Sequence, residues 1–204
     1  MIADEFVLLR RARGDALVAS LPTLAYAGGG IHNLRTGAIA GIACALVVCG
    51  IAARRRPMAA ISGLIAVIFA VGVAVITKRP TAFFLPAIAL NAVFATGGLI
   101  SLAIRRPALG YSLTAFLPRF AGWRNDPATY SLAAVLTSIW TAVFLLRFVV
   151  MGTCYLSGAG PSLLAVVKVV LGLPLAAVAG AISLRLLAQP AGATAPETAP
   201  AVEM

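Results

Sequence analysis

The chain has 204 residues, 61% of them hydrophobic and only 11% charged, with a mean hydropathy of +1.01. Soluble domains carry about a quarter of their residues as charged side chains, so the apolar excess here exceeds what one core can bury and calls for a bilayer as second apolar solvent. The formal net charge of +10 lies mostly in short clusters between apolar runs, a pattern of topology determinants and headgroup contacts rather than of a nucleic-acid interface.

Residues 1–15 form a basic arm with Arg10, Arg11 and Arg13, and no short apolar stretch with an A-x-A site marks a cleavable signal peptide. Apolar runs follow at 16–31, 36–53, 57–77, 81–104, 128–151 and 161–187. Their lengths predict an all-α, polytopic membrane protein with six transmembrane helices in one membrane domain, 16–187. The first run is the shortest and contains Pro22 and the Gly28-Gly29-Gly30 triplet. The tail 188–204 is rich in Pro, Ala and Thr without apolar period, which predicts disorder.

A further run, 108–121, reaches only ~21 Å at 1.5 Å per residue, short of a ~30 Å hydrocarbon core. Leu109, Leu113, Phe116, Leu117 and Phe120 share one helical face, and Arg119, Trp123 and Arg124 close the segment. Aromatics beside arginines suit the headgroup boundary, so the segment reads as an interfacial or re-entrant helix anchored by Trp123, Arg124 and Arg119.

Boundaries carry a repeated mark. "RRRP" (54–57), "KRP" (78–80) and "RRP" (105–107) each close one run and open the next, because cations favour a helix C-terminus and proline suits the first turn of the following helix. At "NDP" (125–127), Asp126 is placed to cap the helix that Pro127 starts, which takes precedence over a catalytic role for this carboxyl. With six spans and a cytoplasmic N-terminus, Arg10, Arg11, Arg13, Arg54, Arg55, Arg56, Arg105, Arg106, Arg119, Arg124 and Arg185 fall inside, against Arg35, Lys78 and Arg79 outside. The predicted location is therefore the cell membrane, multi-pass, with both termini cytoplasmic.

Catalytic and metal chemistry find little footing. Cys44, Cys49 and Cys154 form no CxxC pair, His32 is the sole histidine, and no P-loop, GxSxG or zinc pattern occurs. No metal and no cofactor is implied. Small residues, Gly37, Gly41 and Ala45 on the second run and Gly97, Gly98 and Ser101 on the fourth, point to close helix packing. Two cations stand apart inside apolar runs, Arg147 and Lys168, with no acid between them. One reading is snorkelling to the headgroups. The other turns both toward the bundle, where an intramembrane charge of this kind marks a partner or a pathway. Arg147, Lys168, Asn91 and Arg79 then form a candidate anion or lipid site.

At "ITKRPTAFFLPAIALNAVFATGGLISLAIRRPALG" (76–110), "WRND" (123–126), "SIWTAVFLLR" (138–147) and "VLGLPLAAVAG" (170–180), the chain resembles an actinobacterial membrane family described as domain of unknown function 3159. More distantly, Phe83, Phe84, Pro86, Asn91, Trp123, Arg124, Trp140 and Arg147 resemble the intracellular septation protein A group, inner-membrane proteins of cell-envelope synthesis and division. Neither resemblance supplies a catalytic residue. The expected function is that of a non-enzymatic cell-envelope protein acting through membrane lipids, anionic ones included, or through protein partners or further copies of itself, with no nucleic acid. The alternatives are a small transporter or channel-like protein for an anionic or lipidic substrate, and a membrane-embedded enzyme on an isoprenoid-like substrate. The last needs a protonated carboxyl near its site, and Asp126 alone lies near a span.

Overall fold

The computed structural model describes residues 20–54, 57–116 and 122–188. All regular structure among them is helical: α1 over 20–30, α2 Leu34–Ala53, α3 Pro57–Thr77, a 3-10 helix Pro80–Phe84, α4 Leu85–Ala103, α5 Ala108–Phe116, α6 Pro127–Leu156 and α7 Pro161–Ala188. The basic arm, Arg55, Arg56, Arg119 and the tail beyond Ala188 lie outside the described residues.

Five helical stretches are long and apolar enough to cross a membrane: Leu34–Ala53, Ala60–Thr77, Pro80–Ala103, Pro127–Leu156 and Pro161–Ala188. The chain is a multi-pass membrane protein on that basis. The predicted sixth crossing, run 16–31, is helical over 20–30, about 16 Å. It ends at a turn in which the His32 N–H donates to the Gly29 carbonyl at 3.2 Å. The nine residues of α5 span about 13 Å, too short to cross.

The proline marks work by a mechanism that charge alone does not describe. Lys78 (φ 55°) and Arg105 (φ 54°) adopt the left-handed conformation. Lys78 N–H donates to Val75 O at 3.2 Å and Arg79 N–H reaches back to Ala74 O at 3.2 Å. Arg105 N–H to Leu102 O (3.0 Å) and Arg106 N–H to Ser101 O (2.8 Å) repeat the pattern. These are Schellman caps, usually built on glycine. The end of α6 forms a third, on Gly158 (φ 77°), with Ala159 N–H on Cys154 O at 3.0 Å. That cap lies beyond the predicted limit of 151, because "GTCYL" contains no proline and α6 carries Gly152 in its interior. The predicted run 81–104 is one apolar stretch, Pro80–Ala103, that begins as 3-10 and continues as α4. Pro86 has no N–H for the Ala82 carbonyl, which accepts from Leu85 N–H in an i−3 bond, so the first turns are 3-10.

Two compact units are distinguished: the chain up to Val93 with Phe144–Ala176, and Phe94–Val143 with the chain from Ala177 on. In the first, Asn33 caps α2 by accepting from Thr36 N–H at 2.8 Å, and Thr36 Oγ1 donates to Gly29 O at 2.6 Å, closing the α1–α2 hairpin. A Cβ at Gly29 would stand 2.8 Å from Thr36 O, and one at Gly41 3.0 Å from Tyr26 Cβ, so the small residues of α2 receive α1 itself. The core of this unit gathers Tyr26, Ala70, Val71, Ala74, Phe83, Phe84, Ile88, Met151 and Leu164. Tyr26 stacks on Phe83 at 3.9 Å between centroids, Phe84 meets Phe83 edge-on at 5.2 Å, and Tyr26 O–H donates to Pro80 O at 2.9 Å.

In the second unit, hydroxyls satisfy the start of α5. Ala108 N–H donates to Ser101 Oγ (3.3 Å) and Leu109 N–H to Thr137 Oγ1 (3.2 Å). Gly98 lies against Thr141, whose Cβ would be 3.0 Å from an added methyl. Trp140 Nε1 donates to Ser183 Oγ at 3.2 Å.

Candidate functional site

Lys168 lies seven residues into α7, about 10 Å along its axis. Its Nζ donates to Thr23 Oγ1 of α1 at 3.1 Å and stands 5.5 Å and 5.9 Å from the ring centroids of Phe83 and Phe84. Local sequence explains the cage. Pro80 and Pro86 impose the 3-10 turn that places adjacent Phe83 and Phe84 in the core, and the Gly29–Thr36 hairpin brings buried Thr23 beside them. Tyr26, one turn after Thr23, stacks behind Phe83.

Magnitudes indicate what this cage lacks. A cation deep in a membrane helix costs roughly 2.5–3.5 kcal/mol on insertion scales. One cation–π contact returns about 0.5–2 kcal/mol and one hydrogen bond to a charged group about 1.5–3. The cost can be met, yet every partner is neutral. Asp126 is the only carboxylate among the described residues, and it is engaged elsewhere. No carboxylate among the described residues pairs with the ammonium.

Arg147 takes different partners. Its Nε donates to Leu171 O at 3.0 Å and its NH2 to Gly172 O, both on α7. Because α6 runs to Leu156, Arg147 lies nine residues, about 13 Å, from that helix end, not the four residues expected. Its guanidinium engages backbone carbonyls of α7. Arg147 and Lys168 share no partner, and the predicted grouping of four is not brought together by any contact. Asn91 Nδ2 donates to Ala87 O of its own helix at 2.7 Å. Arg79 is exposed and serves the α3 cap through its backbone.

Trp123 and Arg124, two of the three predicted anchors, pack together. Trp123, 6% exposed, stands edge-on to Tyr111 (5.5 Å) and stacks on Tyr130 at 6.1 Å. Arg124 lies over the Tyr111 and Trp123 rings and donates to Tyr111 Oη. Tyr130 O–H reaches Arg105 O at 3.2 Å. Asp126 accepts from the Thr129 hydroxyl, from Thr129 N–H at 3.1 Å and from Ala128 N–H at 3.2 Å. These bonds hold its carboxyl below the usual carboxylate value, the Thr129 hydroxyl most of all. No group of three His, Cys, Asp or Glu side chains gathers among the described residues.

Sequence reasoning missed Thr23 and the aromatic faces around Lys168, and it passed over Pro174, which lies inside α7.

The family model described as "Protein of unknown function (DUF3159)" matches residues 13–193, and the chain belongs to that family. No curated protein and no solved structure matches it.

Proposed function

We propose that this multi-pass membrane protein works by binding the anionic headgroup of a membrane amphiphile, as a non-enzymatic component of the cell envelope. The observation that carries this reading is Lys168, an intramembrane ammonium whose partners, Thr23 and the rings of Phe83 and Phe84, are all neutral. A phosphate oxygen is the complementary ligand: it accepts from the ammonium in a charge-assisted bond and leaves the cation–π contacts in place. In this reading α1 is the sixth span, both termini are cytoplasmic, and the α5 segment lies in the headgroup layer with Trp123 and Arg124 as anchors. Support for the headgroup placement comes from the exposed Arg124 guanidinium, held over the Tyr111 and Trp123 rings.

Native mass spectrometry of protein extracted in mild detergent tests the site. Wild type should retain an anionic phospholipid adduct that Lys168→Met loses, while zwitterionic adducts stay equal in both. Displacement of the adduct by millimolar inorganic phosphate would assign the site to a free anion. Equal retention of anionic lipid by both proteins refutes the reading.

A further inference from the structure

α7 continues through Pro174, in the interior of a 28-residue helix. Proline has no N–H, so the carbonyl of Val170 loses its helical donor, and the pyrrolidine ring pushes against the same turn. The turn from Val170 to Pro174 is thus held by one backbone bond fewer, and inside a membrane no water makes good the loss. Within that turn the carbonyls of Leu171 and Gly172 accept from the Arg147 guanidinium. Arginine suits the task, since its planar fork meets two neighbouring acceptors at once and keeps its charge in any environment.

This accounts for an arginine in the middle of α6 with no acid to match it. We infer that Arg147 is an intramolecular staple across the proline-broken turn of α7 and, through it, the residue that positions Lys168. Leu171 and Gly172 stand three and four residues after Lys168, on the same helical face. Holding their carbonyls fixes the rotation of the turn that aims Lys168 at Thr23 and the phenylalanine pair. Arg147 is thus a positioning residue and not a ligand. This second part rests on the reading of Lys168 given above, whereas the staple does not.

A double-mutant cycle separates them. Wild type, Arg147→Leu, Pro174→Ala and the double variant are purified in one detergent, and their thermal midpoints and anionic adducts are measured. Arg147→Leu leaves the turn without its crosslink. Pro174→Ala restores the Val170 bond, so the turn holds itself. Arg147→Leu should lower the midpoint by on the order of 5 °C, and the same change should cost much less in the Pro174→Ala background, because the closed turn no longer depends on Arg147. An equal loss in both backgrounds overturns the staple. Should Arg147→Leu fail to fold, Arg147→Lys carries the same test. Its point charge serves one carbonyl well, so its loss is partial and shrinks in the Pro174→Ala background; an equal loss in both backgrounds overturns the staple. Anionic lipid retention should fall in Arg147→Leu and recover in the double variant, and unchanged retention in Arg147→Leu overturns the positioning role. If Lys168→Met keeps its lipid while the cycle remains coupled, the headgroup reading fails and the staple stands.

Discussion

Replacing Gly110 by alanine tests whether the α5 segment is a packed, rigid platform. A Cβ at Gly110 would lie 2.7 Å from Trp123 Cε2 and Cζ2 and 2.9 Å from Cδ2, whereas carbon atoms in good contact stand about 3.5–4.0 Å apart. The indole must therefore retreat by nearly 1 Å. It has little room, because Tyr111 meets its edge and Tyr130 stacks at 6.1 Å. Tyr130 is in turn tethered to the Arg105 carbonyl. Overpacking of this kind costs about 1–3 kcal/mol, a fall in thermal midpoint of roughly 5 °C for a chain of this size. The assay is tryptophan emission in a Trp140→Phe background, which leaves Trp123 as the sole indole of the two in the chain. Gly110→Ala should shift the emission maximum to the red and raise quenching by iodide as the indole is displaced toward the aqueous boundary. Unchanged emission with a midpoint within about 1 °C of the parent would show that the ring is free to move and refute the platform.

Four further outcomes follow from the caps, the core and the topology. Lys78→Gly should stabilise the protein by about 0.5–1 kcal/mol, read as a higher midpoint, because glycine takes the left-handed cap without a Cβ clash; a loss would show that the Lys78 side chain itself holds the α3 end. Tyr26→Phe keeps the stack on Phe83 but leaves the Pro80 carbonyl without its O–H donor, a cost of about 1 kcal/mol in the same melt. Asp126→Asn should keep the α6 cap and Asp126→Ala lose it, and the depressed carboxyl adds a pH dependence. The cap contribution is fully present above the unfolded-state carboxyl pKa and is lost as pH falls through the lower folded value, so wild type and Asp126→Ala should converge in strongly acid solution, while a constant gap would assign the effect to the side chain's shape. Reporter fusions after Arg106 and near Asp126 should both read cytoplasmic, and fusions near His32 and Gly158 external; an external signal near Asp126 would make the α5 segment a crossing.

Much of the helical layout was legible because membrane helices announce themselves by length. Pro57 and Thr77 bound α3 where the "RRRP" and "KRP" marks set its limits, and Asp126 caps α6 as its spacing before Pro127 implied. What stayed hidden depends on geometry that one-dimensional pattern does not carry. A left-handed lysine at 78 or arginine at 105 has no propensity signal, since glycine is the usual residue there. The extension of α6 to Leu156 escaped because a search for apolar length stops at Met151. The partners of the two cations were the least legible part. Thr23 is 145 residues from Lys168, and Arg147 finds its carbonyls 24 and 25 residues on. Pairing an arginine with an anion is the natural guess from charge, whereas the acceptors here are backbone oxygens.

What meets the Lys168 ammonium can be seen in a side-chain-resolution density map of the protein in nanodiscs made with an anionic phospholipid. Headgroup density is expected with a phosphate oxygen about 3 Å from Lys168 Nζ, and is expected to be lost in Lys168→Met. A map in which Nζ contacts Thr23 and the two phenylalanine rings alone, with headgroup density no closer than the bulk lipid layer, would contradict the headgroup reading.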